Sequence, residues 1–435
     1  MRHVIRRAKK IYKMVAPEEG KTVLRNFTSL SVVQAINYIL PVIILPYIFR
    51  IIGPGKFGLI AFAQAFVQYF VILTDYGFSV SATKEISLCH HNHCEVSRVF
   101  SAVMTVKVGL ALISLILLCV IIYFIPKFRL NWPVYILSFG SVIGSTFFPV
   151  WFFQGVEKMK HIAHLNIIGG LLMVLFTFIL VRHTQDYLWV PFITSATLLI
   201  TGILAQRIIF TKFGVLFKFP PYADLRQQLK AGWDIFISNI AINTYTTTRV
   251  FVVGLLTDTT ITGFYAIAER IANAAQTFPL YSFSQAVFPR LSKIYHKNKT
   301  LALELMRHLQ RITLDTAVIC LPVIYIMAEH IIRFFCGSIY YSAVLSLRLL
   351  LIAVFFVSAN AFRVQFLLVC GKTHIFSRIH VLMSMVALPL IFLLVDAFGY
   401  MGAAISCIVT EAGIFLTTFL YFNRIKFTKE GGVII

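Results

Sequence analysis

Acidic side chains are scarce in this sequence. Only 17 of its 435 residues are Asp or Glu, against 39 Lys and Arg, and charged residues of both signs make up 13%. Ordinary soluble domains carry about 25%, so a water-exposed surface around a single core is excluded. Cysteine is sparse as well: the seven are scattered, five of them in or at the ends of apolar stretches, which excludes a disulfide framework. The one cluster, Cys89-His90-His91-Asn92-His93-Cys94, has zinc-ligand residue types but no standard finger spacing, so a reduced loop is the simpler reading. An intact phosphate loop is missing too. Gly371-Lys372-Thr373 resembles its end, yet Phe366 stands where the first glycine is required, and no visible motif makes ATP the energy source. No motif for a resident metal or other cofactor is visible. A cleavable leader is not expected either, because the first apolar stretch is too long and its Pro41 and Pro46 precede no small-residue site.

What the chain has is apolar length. Hydrophobic residues make up 59%, in stretches of about 20 residues that suffice to cross a hydrocarbon core of ~30 Å. Twelve such spans are expected, at 27–50, 58–80, 99–124, 133–153, 162–181, 189–210, 232–256, 263–286, 312–335, 344–369, 379–398 and 401–422. The expected organisation is a basic tail over 1–26, a six-helix lobe over 27–210 and a linker over 211–231. A second six-helix lobe over 232–422 and a tail over 423–435 complete it. The fold class is an all-α integral membrane protein.

A net charge of +22 suggests nucleic acid until its distribution is examined. Outside the spans, 27 Lys and Arg fall on the side of the termini and only 4 (Lys56, Lys127, Arg129 and Arg182) on the other. That asymmetry is the positive-inside signature, so both termini are expected in the cytoplasm and no nucleic-acid partner is implied. In the first tail, Val4, Ile5, Ala8, Ile11, Tyr12 and Val15 share one helical face, which suits either an interfacial helix on anionic lipid or a solvated topogenic tail.

The chain also repeats itself. Gly58-Leu59-Ile60-Ala61-Phe62-Ala63-Gln64 returns 205 residues later as Gly263-Phe264-Tyr265-Ala266-Ile267-Ala268-Glu269. A second echo links Gln154-Gly155-Val156-Glu157-Lys158 to Cys370-Gly371-Lys372, each between two long helices. Half-length repeats in an apolar chain point to two homologous lobes around a central path.

Charge inside the spans needs a reason, since an ionisable group at mid-bilayer costs about 2.5–3.5 kcal/mol. Asp75, Lys107, Arg249, Glu269, Arg270, Asp315, Arg348, Arg363 and Glu411 lie deep by sequence, whereas Arg50, Asp234, Glu329, Arg333 and Asp396 lie near helix ends. Glu329 and Arg333, four apart, are expected to pair locally. At about 100° per residue, Gln64, Gln68 and Asp75 share one sector of their helix. Glu269, Asn273 and Gln276 share the equivalent sector of the eighth span with Arg270 on its flank, and Asn239, Asn243 and Thr246 share a face edged by Arg249. Asn360 and Arg363 lie one turn apart. Amides and hydroxyls of this kind glue helices in many bundles; the arginines argue instead for a wet cavity. Arg249, Arg270 and Arg363 are expected to meet a phosphorylated or acidic sugar head group through planar donor forks. Asn239, Asn243, Asn273, Gln64 and Gln68 would then meet sugar hydroxyls. Asp75 and Glu269 are the candidates for ion coupling. Asp75, without a basic residue within one turn, is the better proton carrier, while Arg270 is the neighbour expected to hold Glu269 charged.

Residues 21–80, including Leu40-Pro41, Arg50-Ile51-Ile52-Gly53-Pro54 and Phe57 through Gln64, resemble the opening of the polysaccharide repeat-unit (O-antigen) flippases. Asp75-Tyr76-Gly77-Phe78, Ala82 through Ser87, and Pro149 through Met159 strengthen the likeness, which extends over residues 21 to 425 and is looser in the second half. The resemblance implies a polysaccharide transporter of the multidrug/oligosaccharidyl-lipid/polysaccharide exporter superfamily in the bacterial inner membrane. Its substrate would be an oligosaccharide repeat unit on undecaprenyl diphosphate, flipped by alternating access for surface polysaccharide (O-antigen, lipopolysaccharide) biosynthesis. Membrane lipid, a glycan polymerase, a chain-length regulator, and proton or sodium as counter-ion are its implied partners.

Three rivals fit less well. A drug/cation antiporter of the same superfamily would present acidic binding groups, and the deep charges here lean basic. Lipid II flippases of this type carry fourteen spans rather than twelve. A membrane-embedded glycosyltransferase or polymerase would need a sizeable external loop with catalytic carboxylates, whereas the stretch from Cys336 to Ala343 carries no acid. No enzymatic activity is expected.

Overall fold

The structure, a computed structural model, describes residues 19–89, 91–424, 426–427 and 433–434, with most side chains from Ile43 to Phe422. The basic tail therefore lies largely outside the described residues, and the first helix, α1 (Glu19–Asp75), begins eight residues before the expected span. At 57 residues a straight helix would be about 86 Å long, more than twice a hydrocarbon core. Gly53 breaks it with φ 77° and ψ 166°, a conformation open to a residue without Cβ. The Gly53-Pro54-Gly55 turn thus separates two crossings.

Tyr76 and Gly77, both at positive φ, end α1 before α2 (Phe78–Cys89) begins. The first lobe continues with α3 (His93–Phe124), the single turn α4 (Pro126–Arg129), α5 (Trp132–Phe147), α6 (Val150–Gly155) and α7 (Met159–Leu180). A 3-10 turn, Thr184–Leu188, leads into its last helix, α8 (Trp189–Lys212). The second lobe holds α9 (Tyr222–Leu256), α10 (Thr259–Lys297), α11 (Lys299–Ile326) and α12 (Ala328–Cys336). It closes with α13 (Tyr341–Val369), α14 (Thr373–Phe398) and α15 (Tyr400–Arg424). A two-residue β pair, Lys426–Phe427 with Val433–Ile434, follows. Among the described residues, nine helical segments are long and apolar enough to cross a membrane. With α9, α10 and the first arm of α1 they make twelve crossings in two lobes of six.

Three expectations about element limits change. The span at 133–153 is two helices, because Pro149 has no N–H to continue the ladder between α5 and α6. The span at 312–335 is also two, α11 and α12, meeting at Met327. The basic loop expected near 287–311 shrinks to Asn298, whose side chain caps α11 by accepting from the Leu301 N–H; the rest is helix. In the same way the Cys/His loop serves as a helix start, with Asn92 accepting from the N–H groups of Cys94 and Glu95.

The irregular stretch 213–221 of the linker is docked along α3. Ser97 and Ser101 accept from the N–H groups of Leu216 and Lys218 at 3.1 Å each. Arg98 grips Asp224 with two hydrogen bonds of 2.7 and 2.6 Å. We call this end of the bundle, where the connections 91–92, 156–158, 213–221, 298 and 370–372 lie, the basic end.

The cores reveal how the lobes join. At the far end one continuous cluster spans both, from Phe49, Phe62 and Phe139 to Val252, Tyr265 and Leu347. Towards the basic end the core divides. One cluster surrounds Phe100, Trp151 and Phe152 and, among the described residues, takes in only Phe236 of α9 as its buried member from the second lobe. The other, around Leu291, Met306, Phe362 and Phe366, is wholly within the second lobe.

Candidate substrate path between the lobes

The repeated segments meet each other. Gly58 of α1 and Gly263 of α10 face across the lobe boundary so closely that a Cβ on Gly58 would collide with the Thr259 carbonyl and the Gly263 backbone, and one on Gly263 with the Pro54 carbonyl. Only glycine permits such backbone contact between helices. An aromatic layer closes over the crossing on the inner side. Phe251 of α9 stacks on Phe62 and Phe66 with ring centroids 5.4 and 5.8 Å apart. Lys127 reaches from α4 to the Leu255 carbonyl at 2.7 Å.

Polar side chains begin about two turns, roughly 9 Å, along α1 from Gly58. Arg270 donates to Gln64 Oε1 at 2.7 Å across the lobe boundary and lies over the Phe57 ring at 5.1 Å. It is exposed, as is Asn273 one turn further on, while Gln64 and Gln68 are half-buried. Tyr69 and Thr248 share a hydrogen bond of 2.7 Å between the same two lobes. Nothing in the sequence marks Thr248 and Tyr69 except position, each next to a polar residue of the site, Arg249 and Gln68.

The expected cavity of three arginines is not formed. Arg249 is buried inside the second lobe, where Nε meets Glu269 at 3.0 Å and Nη1 meets the Cys407 sulfur at 2.8 Å. Arg363 lies on the outer side of α13 between the Phe415 and Phe419 rings, 5.3 and 5.2 Å from their centroids. Arg270 alone of the three joins the lobe boundary. Helical spacing assigned each arginine a face but not the neighbour that face meets.

Two expected pairings are corrected for the same reason, and two further side chains have partners that spacing did not name. Glu269 is held by Arg249 rather than by adjacent Arg270, since neighbouring helical residues diverge by about 100°. Asp75, with no basic residue within one turn on its own helix, has one on another: Lys107 of α3, whose side chain is 4% exposed, stands 3.9 Å away. Asp75 is also the last residue of its helix rather than a mid-span group. Glu329 bridges to Arg348 at 3.1 Å instead of pairing with Arg333. Asn239 and Asn243 do share a face, but the Asn243 amide donates to the Asn239 carbonyl at 2.9 Å, a bond internal to α9.

Outside the spans, the Arg98 guanidinium holds the Asp224 carboxyl below its usual range, mainly through their hydrogen bonds. The backbone N–H groups of Arg182 and His183 do the same for Asp186 at the far end.

Residues 23–295 match the family described as "Polysaccharide biosynthesis protein". The chain is 32% identical over 390 residues to a protein of Escherichia coli (strain K12) named as a candidate O-antigen transporter, covering 89% of this chain and 93% of that protein. It superposes on the inward-facing conformation of a multidrug resistance MATE family transporter of the MOP superfamily with a TM-score of 0.70 at 14% identity, covering 90% of this chain and 94% of that one. The inward closed conformation of the lipid II flippase MurJ also gives 0.70, at 15% identity, over 90% of this chain and 87% of that one. At such identities the structures share the fold.

Proposed function

The chain belongs to the polysaccharide biosynthesis protein family, and on that premise we propose that it is a transporter that flips lipid-linked oligosaccharide repeat units across a bacterial inner membrane. The basic end faces the cytoplasm by the positive-inside rule, which places both termini there. The lipid is undecaprenyl diphosphate, whose tail stays in the bilayer while the charged head crosses between the lobes. Turnover proceeds by alternating access: the Gly58–Gly263 crossing and its aromatic layer part as the basic end closes.

One observation carries this reading. Arg270 is a cation exposed at the lobe boundary, and the carboxylate beside it in sequence, Glu269, is already engaged by Arg249. Its cross-boundary partner is the neutral Gln64 amide, an acceptor that a phosphate oxygen can displace at a gain, because charge-assisted hydrogen bonds are the stronger ones. Gln68 and Asn273 supply donors and acceptors for sugar hydroxyls beside it. A drug or cation carrier would favour a carboxylate in that place. Arg249 serves the site by holding Glu269, and Asp75, with Lys107, is the coupling group for a proton or sodium ion.

The test is translocation of a polyprenyl diphosphate oligosaccharide in proteoliposomes. Arg270→Ala is expected to lower the initial rate tenfold or more, since a hydrogen bond to a charged group contributes about 1.5–3 kcal/mol. Arg270→Lys is expected to fall between, keeping the charge but losing the fork. A parental rate in Arg270→Ala contradicts the assignment.

A further inference from the structure

Far from the lobe boundary, α11 and α15 both pack on α13 and leave a groove between them. The groove holds a cavity of about 430 Å³ whose lining includes Arg307, Arg311 and Arg363 among Phe355, Phe415 and Phe419. Two polar staples set its walls. The Gln310 amide inserts into the α13 ladder, donating to the Ser358 carbonyl at 2.9 Å and accepting from the Phe362 N–H at 3.0 Å. Thr418 of α15 donates to Asn360 Oδ1 at 2.5 Å. Gln310 thereby fixes the register that turns Arg307 and Arg311, one helical turn apart, into the groove beside Arg363.

The charge in this groove is one-sided. Among the described residues no carboxylate lines it; Glu304 and Asp315, the acids nearest in sequence on α11, are exposed and lie outside it. Arg363 donates to the Ala359 carbonyl at 2.8 Å and is otherwise flanked by Phe rings. Its depth is informative too. Along α11, Lys299, Glu304, Arg307, His308 and Arg311 precede a run that begins at Ile312 and carries one charge, Asp315, before Ile326. Arg307 and Arg311 therefore stand where the helix passes from headgroups into hydrocarbon, with the aromatic wall running inward from them.

We propose that this groove is a binding site for an anionic phospholipid of the surrounding bilayer. Its phosphate meets Arg307, Arg311 and Arg363, and one acyl chain lies along Phe355, Phe415 and Phe419. The site stands apart from the substrate path and is independent of which sugar is transported. A bilayer phospholipid fits better than the transported lipid because the groove opens on the side of α13 away from α1 and carries no sugar-binding amide besides the stapled Gln310.

The full-length protein, delipidated in detergent and titrated with phosphatidylglycerol, phosphatidylethanolamine or undecaprenyl diphosphate, tests this by native mass spectrometry. The expected result is retained phosphatidylglycerol in the parent and a ten- to thirtyfold weaker affinity in Arg307→Gln/Arg311→Gln, at about 1 kcal/mol per basic residue near a membrane surface. Both residues are exposed, so the fold tolerates the change. Arg207→Gln/Lys212→Gln, an equally exposed pair on α8 at the same end, is expected to keep the parental affinity. Equal loss in that control, equal retention of phosphatidylethanolamine, or a preference for undecaprenyl diphosphate that the Arg307/Arg311 variant abolishes would each overturn the proposal.

Discussion

The side chains that matter most here are those whose partners sit on another helix. Lys107 is almost fully enclosed and Asp75, itself partly exposed, is its counter-charge, so removing the carboxylate leaves an enclosed cation without its partner. Asp75→Asn is therefore expected to lower thermal stability in detergent, and Asp75→Asn/Lys107→Met to recover much of the loss. A double variant no more stable than the single one would show that the pair does not interact. The comparison also decides what a transport defect means: an Asp75→Asn defect counts as coupling only if the double variant retains it while folding normally. Sequence spacing located Arg249 and Glu269 as deep polar groups, placed Asp75 too deep, and failed on the partners of all three. Lys107 is 32 residues from Asp75 and Cys407 is 158 from Arg249; one helix's periodicity says nothing about which helix it meets.

At the scale of elements, the repeat was legible and its physical reason was not. The sequence shows that Gly58 and Gly263 are equivalent; only the fold shows that they are equivalent because they touch. Gly263→Ala is expected to lower the apparent melting temperature, since overpacking against a rigid carbonyl costs about 1–3 kcal/mol. Gly109→Ala on α3, where a new Cβ meets nothing within 4 Å, is expected to be neutral or stabilising. The same melting temperature for both variants would remove the crossing from the account. The linker provides a second element-level test. The Asp224 carboxyl is held below its usual value by Arg98, so the pair's contribution is present at neutral pH and is lost as pH falls below about 4 through the lowered pKa. Arg98→Ala is expected to destabilise by up to about 1 kcal/mol at pH 7, a small effect because Arg98 is largely exposed. The difference from the parent is expected to shrink as pH is lowered below about 4. A difference independent of pH would mean that the Ser97 and Ser101 hydrogen bonds alone hold the linker.

Over the whole molecule, apolar length was enough to give twelve crossings, because it follows from the cost of lipid burial and needs no knowledge of packing, and the internal repeat was enough to divide them into two lobes. Helix limits were less legible where charged residues continue a helix beyond the membrane, as in Lys299 to Arg311, since such residues read as loop. The position of Arg363, outside the path, was not legible at all. A single shared core at the far end holds two lobes whose cores are separate towards the other. That arrangement permits alternating access only if the far end opens. Gly55 and Thr260 lie against each other there, with a Cβ on Gly55 in ordinary contact with the Thr260 hydroxyl at 3.4 Å. Gly55→Cys/Thr260→Cys should thus form a disulfide across the lobe boundary. In proteoliposomes carrying a polyprenyl diphosphate oligosaccharide, the oxidised protein is expected to translocate at the protein-free rate and to recover the parental rate on reduction; undiminished translocation by the fully cross-linked protein would contradict the account.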